Sequence, residues 1–167
     1  RYSSSAASDV YKRQFQGNLR ELPPFGETLG MDWIETDSSE VCLRLGVSDQ
    51  VKLTAESDLF HPGAILATLD NACGWCIRQH ASYVDGTSMA TLNLRVDWLA
   101  RASMAEPLLV TAHCESYADD VAHVRGEAFF SSTGKKVAVV QATFMLGTPN
   151  TPRDGVSNEQ GRAGDHE

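Results

Sequence analysis

Residues 61–75 read HPGAILATLDNACGW, and they are the strongest indication of the fold in the sequence. Apolar residues recur along it at helical spacing, so it predicts one long helix from Pro62 to about His80. Proline suits the first helical position, because its missing N–H would have no partner there. Asp70 falls at the edge of the apolar arc, where a carboxylate is costly to bury without a partner.

Two interpretations of Asp70 follow from this position. In the first, the carboxylate forms a hydrogen bond to a neighbouring strand and has a structural role. In the second, it is a general base or nucleophile at the wall of a substrate pocket. The helical pattern alone favours the structural role, so the choice depends on the rest of the chain.

Strands are predicted on both sides of this helix. A short helical or irregular segment over 19–29 leads into strands over 31–35 and 41–47, with a turn at 37–39 and a loop over 51–60. Four strands follow, at 88–99, 107–117, 121–131 and 136–146. In the first of these four, Leu92, Leu94, Val96 and Trp98 are predicted on one face, opposite Thr91, Asn93, Arg95 and Asp97. This order predicts an α+β architecture, an antiparallel sheet of five or six strands wrapped around one central helix.

The two ends of the chain are not expected to belong to this domain. Residues 1–14 resemble translated adapter or vector sequence and are interpreted as a non-native or disordered leader. Residues 148–167 are rich in Gly, Pro, Asn and charge, so a disordered tail is expected there. The folded domain is therefore predicted over 15–147.

Composition narrows the class of protein. The chain has 167 residues, enough for one domain with a core, and a net charge of −8 from 14 basic and 22 acidic residues. This balance, without a basic stripe, argues against binding nucleic acid, although a small anionic ligand needs only a local basic patch. The apolar runs are too short to span a membrane. Free cysteines and the lack of a secretory signal predict a cytoplasmic protein.

Cys73 and Cys76 have the spacing of a CxxC motif, which occurs in metal and redox sites. No second cysteine pair or histidine cluster completes a zinc site. Both residues fall on the apolar arc of the helix, so they are predicted as small core residues. No metal or other cofactor is expected.

Three motifs carry a family resemblance. His61-Pro62-Gly63 opens the helix and Asp70 follows two helical turns later, a strand covers 91–99, and a closing hairpin strand covers 134–145. In this order and spacing they resemble the hotdog-fold acyl-CoA thioesterases, in particular the phenylacetate-pathway (PaaI-like) and 4-hydroxybenzoyl-CoA thioesterase-type group, over roughly 24–147. The resemblance implies the hotdog fold and hydrolysis of a fatty or aromatic acyl-CoA thioester to the free acid and CoA.

The resemblance also implies roles for single residues. Asp70 becomes the catalytic carboxylate, which activates water or attacks the thioester carbonyl itself. His61 lines that carbonyl or supports the start of the helix. Ser88, with Thr87 as the alternative, orients the water. The helix N-terminus, with its unpaired N–H groups, suits the developing oxyanion.

Pro62 departs from the family pattern. Family members often have a glycine there whose N–H binds the thioester carbonyl, and proline has no N–H. The donor must then be the amide of Gly63 or Ala64, or the side chain of His61. Loss of one oxyanion donor costs about a hundredfold or more in turnover.

Substrate contacts are predicted on both sides of Asp70. Gly74, one turn after it, leaves room for an acyl chain, although close packing of helix on sheet explains a small residue equally well. The phosphates of CoA need cations, and for each candidate a solvated surface role is the alternative reading. The candidates are Arg78, Arg101, Lys135 and Lys136.

The resemblance implies a homodimer or a dimer of dimers, with Asp70 of one subunit facing residues of the other. No nucleic acid or membrane partner is expected. One alternative is a hotdog protein that binds acyl-CoA without hydrolysis, as a sensor or carrier, which Pro62 favours. A dehydratase or hydratase ranks lower, because its paired acidic and histidine motifs are missing. Asp70 and His61 argue against a purely structural role.

Overall fold

The structure is a computed structural model that describes residues 22–35 and 40–147. Within these residues the chain forms two strands, one long helix and four further strands, in the predicted order. The turn at 37–39, the leader at 1–14 and the tail at 148–167 lie outside the described residues. The elements are α1 (Pro24–Thr28), β1 (Met31–Trp33), β2 (Val41–Leu45), a 3-10 turn (Asp49–Val51), α2 (Pro62–Arg78), β3 (Met89–Trp98), β4 (Leu108–Ala118), β5 (Val121–Phe130) and β6 (Lys136–Leu146).

The strands form one antiparallel sheet in the order β1-β2-β4-β5-β6-β3. Helix α2 packs across one face of this sheet, mainly against β4, β5 and β2. The expected α+β architecture, a six-stranded antiparallel sheet with one long central helix, is confirmed. Strand β3 lies at one edge of the sheet and is paired only on its β6 side among the described residues.

The core lies between α2 and the inner face of the sheet. Leu69, Cys73 and Ile77, spaced one turn apart on α2, are fully buried. They face alternate residues of β4 and β5, such as Val110 and Ala128, as strands with one buried face require. The core assignment of Cys73 and Cys76 is confirmed, and burial raises the pKa of the Cys73 thiol to about 12.

Strand β3 departs from simple alternation. Its register with β6 shifts between Thr91 and Asn93, which marks a bulge. Beyond the bulge, Arg95 and Asp97 lie on the outer face, away from α2, where Arg95 donates to the Asp97 carboxylate at 3.0 Å. Before the bulge, the Thr91 side chain points to the helix side. The prediction that Thr91 shares the face of Arg95 and Asp97 is therefore wrong.

The hairpin between β5 and β6 closes as predicted over 132–135. Gly134 has a φ of +65°, a backbone conformation that glycine adopts without strain, and its amide donates to the carbonyl of Phe130 at 2.8 Å. Of the helices in residues 22–35 and 40–147, none is long and apolar enough to cross a membrane.

Candidate active site

His61 fixes the start of α2. Its Nδ1 accepts a hydrogen bond from the amide of Gly63 at 2.9 Å, and its own amide donates to the carbonyl of Val51 at 2.7 Å. A Cβ at residue 63 would lie 2.9 Å from Nδ1, so any side chain there would displace the imidazole. His61 is therefore the N-cap of the helix, and the cap depends on a glycine at residue 63.

The amides at this helix start already have partners within the chain. Pro62 has no N–H. The Gly63 amide donates to the His61 ring, and the Ala64 amide donates to the His61 carbonyl at 3.0 Å. Because Nδ1 accepts, the neutral imidazole carries its proton on Nε2, and this N–H is the remaining donor of the cap.

Asp70 occupies the middle of α2 and is half-buried. The hydroxyl of Thr91, on the edge strand β3, donates to its Oδ1 at 3.1 Å. Asp70 lies nine positions after His61, so the carboxylate lies roughly 13 Å further along the helix axis. The hydrogen bond holds one carboxylate oxygen, and in the part of the chain that the structure describes the other oxygen has no hydrogen-bond partner.

A cleft of about 410 Å³ opens beside Asp70. Trp75, Met89 and Phe144 give it apolar walls, and the Trp75 ring contacts Trp33 edge to face at 5.2 Å between centroids. A Cβ added at Gly74 would meet nothing within 4 Å, so the glycine leaves open space and does not serve close packing within the chain. The lining residues are Pro23, Asp70, Asn71, Gly74, Trp75, Arg78, Met89 and Phe144.

The hydroxyl that contacts Asp70 belongs to Thr91, a residue that the sequence reasoning did not select for this role. Ser88 lies just before β3, where its carbonyl accepts the amide of Gly147 at 2.8 Å. The Thr87 carbonyl accepts the hydroxyl of Tyr83 at 2.9 Å. The roles of Ser88 and Thr87 in orienting water stay predictions. No sequence signal marks the bulge that turns Thr91 toward the helix.

The four predicted phosphate-binding cations do not form one patch. Arg78 lines the Asp70 cleft, whereas Arg101 lines a second, largely apolar cavity of about 380 Å³ beside Pro62. Lys136 forms an ion pair with Glu127 at 2.5 Å, and Lys135 is exposed in the β5–β6 turn. A role in holding CoA stays a prediction for each of them.

Another depression, of about 530 Å³, lies on the outer face of the sheet. Both cations in its lining already have carboxylate partners, Arg125 with Glu115 at 2.7 Å and Lys136 with Glu127. In the described part of the chain, no three His, Cys, Asp or Glu side chains are placed to hold a metal ion. The Asp70 cleft is the better candidate, because it combines a half-buried carboxylate, a hydroxyl and apolar walls.

Comparison with known families gives a match over the middle of the chain. The profile of the family described as "Thioesterase superfamily" matches residues 57–138, which include α2, β3, β4 and β5. Asp70 and the whole start of α2 lie inside the matched range. No curated protein matches the sequence significantly.

Solved structures share the whole fold. A phenylacetic acid degradation-related protein from Ralstonia eutropha JMP134 is 27% identical, with a TM-score of 0.65 over 81% of this chain and 98% of its own. A Pseudomonas aeruginosa protein is also 27% identical, with a TM-score of 0.63 over 81% and 96%. A Shewanella oneidensis protein related to the thioesterase superfamily is 22% identical, with a TM-score of 0.69 over 87% and 100%, which supports the fold.

Proposed function

Because the chain belongs to the hotdog-fold thioesterase superfamily, we propose that it hydrolyses acyl-CoA thioesters with Asp70 as the catalytic carboxylate. The observation that carries this proposal is the hydrogen bond from Thr91 to Asp70 in a cleft that also has apolar residues in its walls. Among residues 22–35 and 40–147, the second oxygen of this carboxylate accepts no hydrogen bond, so water or a substrate can reach it. The apolar walls suit a fatty or aromatic acyl group.

Asp70 can perform the hydrolysis by either of two routes. As a base, it takes a proton from water while the water oxygen bonds to the thioester carbonyl carbon, and the collapsing intermediate releases CoA thiolate, which regains the proton. As a nucleophile, the carboxylate oxygen attacks that carbon, CoA thiolate leaves, and water then hydrolyses the mixed anhydride. Both routes need an ionised carboxylate in a fixed orientation, and the hydrogen bond from the Thr91 hydroxyl supplies that orientation.

Both routes also need a hydrogen-bond donor for the carbonyl oxygen of the thioester. The donors at the start of α2 in the same subunit lie too far from Asp70 to serve. The roughly 13 Å of helix between His61 and Asp70 exceeds the reach of one carbonyl group, which must contact both within about 3 Å. We therefore propose a homodimer, or a dimer of dimers, in which the partner subunit's His61 approaches Asp70. Strand β3 is a candidate for the dimer interface, because it lies at an edge of the sheet and its Leu92 is 54% exposed.

The hydrogen-bond donor to the thioester carbonyl in this site is a side chain and not a free backbone amide. The Gly63 and Ala64 amides already have acceptors, so the imidazole Nε2–H of His61 is the donor that can meet a thioester carbonyl without breaking the cap. Otherwise the Gly63 amide must leave His61 when substrate binds. A single donor of this kind contributes about a hundredfold to a thousandfold to turnover.

A second function has one specific observation in its favour. Pro62 lacks an N–H, and the next two amides are occupied by the cap, so stabilisation of the oxyanion is weaker than a free helix N-terminus would give. A protein with this site could bind acyl-CoA without hydrolysing it. Such a protein would act as a sensor or carrier.

The cysteines support a reducing compartment for this reaction. Cys42, Cys73, Cys76 and Cys114 are all free thiols in the structure. Exported proteins of this size commonly pair such residues, so we propose a cytoplasmic location.

Release of CoA thiol from short, long and aromatic acyl-CoAs tests the proposal. Asp70→Asn is expected to lower kcat by about a hundredfold to ten-thousandfold, because the amide can neither accept the proton nor attack. Asp97→Asn on the outer face of β3 removes the same charge away from the cleft and should leave kcat unchanged. Binding of acyl-CoA without thiol release by the wild type would contradict hydrolysis and support the second function.

A further inference from the structure

Arg78 places a guanidinium in the wall of the Asp70 cleft. It is the last residue of α2, is half-buried, and its Cζ lies 5.0 Å from the centroid of the Trp75 ring. This is a cation–π contact, which leaves the N–H groups of the guanidinium able to form hydrogen bonds. The result is a positive charge held against Trp75 in the wall of the cleft.

Arg78 differs from the arginines that have structural partners. Arg44, Arg95 and Arg125 each form an ion pair, with Asp32, Asp97 and Glu115 respectively. Among residues 22–35 and 40–147, no carboxylate is paired with Arg78, although Asp70 lines the same cleft. A half-buried cation without an anion in a ligand cleft indicates an anionic group on the ligand.

A structural explanation also exists for a basic residue here. Arg78 lies in the last turn of α2, where a positive charge interacts favourably with the helix dipole. A lysine would serve that purpose equally well, and an exposed side chain would suffice. The dipole therefore explains the charge but not the stacking on a cleft wall.

The anion could belong to either end of an acyl-CoA, and the distances favour the acyl end. Arg78 lies eight positions after Asp70, but its guanidinium lies over the ring of Trp75, which is five positions after Asp70, a rise of roughly 7.5 Å along the helix. That is the scale of a medium-length acyl chain with its carbonyl at Asp70. The pantetheine arm places the CoA phosphates much farther from the carbonyl than this.

We propose that Arg78 selects acyl groups that carry a carboxylate at their far end, so that the substrates are CoA monothioesters of dicarboxylic acids. This inference rests on the proposed function, because it takes Asp70 as the point where the thioester carbonyl binds. The apolar walls contact the methylene chain or ring, and the guanidinium binds the terminal carboxylate through two parallel N–H donors. Arg78 is thereby a residue that determines specificity and takes no part in bond breaking.

Matched pairs of substrates test this directly. Adipoyl-CoA and hexanoyl-CoA have the same number of acyl carbons, but the first ends in a carboxylate and the second in a methyl group. Suberoyl-CoA and octanoyl-CoA form a longer pair of the same kind. The wild type is expected to have the higher kcat/KM on the carboxylated member of at least one pair. Arg78→Met should lower the ratio of the two kcat/KM values by about ten- to hundredfold, the worth of a hydrogen-bonded charge. A wild type that favours the uncharged member of both pairs would overturn the inference.

Two further variants keep the test informative. Arg125→Met removes one positive charge from the outer face and should leave the ratio unchanged, which controls for long-range charge effects. Arg78→Lys keeps the charge at the end of α2 and is expected to fold, yet it should lower the ratio as well, because an ammonium lacks the planar pair of donors. If both Arg78 variants have the same ratio of kcat/KM values for the two substrates as the wild type, the inference is wrong.

Binding separates this inference from the proposed function. In an Asp70→Asn background, calorimetry should give a lower Kd for adipoyl-CoA than for hexanoyl-CoA, and Arg78→Met should abolish that difference. Equal loss of affinity for both would mean that Arg78 holds CoA, which contradicts the inference. Absence of thiol release from every substrate, with the difference in Kd intact, would contradict hydrolysis alone.

Discussion

The start and the middle of α2 differ in how completely one chain satisfies their polar groups. At the start, the His61 ring and carbonyl accept the amides of Gly63 and Ala64, so the cap is complete. In the middle, Asp70 has one hydrogen bond and an open cleft beside it, kept open by Gly74. The start of the helix therefore has its polar groups paired within the chain, whereas the middle has a carboxylate beside an open cleft. In the reaction proposed above, the thioester contacts both regions across a subunit boundary.

Thr91→Val removes the hydrogen bond that the structure shows at the Asp70 carboxylate. Valine keeps the shape of threonine but cannot donate to Asp70, so kcat should fall by about ten- to hundredfold while the melting temperature changes little. Steady-state release of CoA thiol measures the loss. Thr143→Val, on the outer face beside His123, is the matched control.

The same assay separates Thr91 from Ser88. If Ser88→Ala lowers kcat strongly and Thr91→Val lowers it less than twofold, the hydroxyl that serves the reaction is Ser88, as the family resemblance implies. The hydrogen bond between Thr91 and Asp70 would then be a feature of the resting chain only.

Gly63→Ala tests the His61 cap at the start of α2. The new methyl group would lie 2.9 Å from His61 Nδ1, so the imidazole must rotate away and the cap is lost. The free energy of unfolding should fall by about 1–2 kcal/mol, the usual worth of an N-cap. Urea unfolding measures it, and a stability equal to that of the wild type would show that the cap contributes nothing.

Gly74→Ala should have a smaller effect of the opposite sign. A Cβ at residue 74 meets nothing within 4 Å, and alanine costs less than glycine in a helix interior. The free energy of unfolding should rise by about 0.5–1 kcal/mol in the same urea experiment. Destabilisation instead would mean that another chain packs closely against Gly74, which would place the subunit contact there.

Much of the fold follows from local patterns in the sequence. The helical spacing of the core residues fixes α2, and alternation fixes β4, β5 and β6, because each pattern buries one face. The burial of Cys73 and Cys76 follows from the same arc. These features depend on neighbours in the chain, which the sequence displays directly.

The candidate site is less visible in the sequence. Asp70 is recognisable by its place on the apolar arc and by the family resemblance. Thr91 is not, because one extra residue in β3 reverses its face and no residue type marks the bulge. The stacking of Arg78 on Trp75 and the use of the Gly63 amide by the His61 ring depend on side-chain rotamers. Periodicity carries no information about these.

Trp75 contacts the Trp33 ring and the Arg78 guanidinium, and it also lines the cleft. An indole's emission depends on the charge and polarity around it. A ligand that fills the cleft or draws the guanidinium away from the ring changes that environment. The protein therefore carries a fluorophore in the wall of its own candidate site, and occupancy can be followed optically without a label.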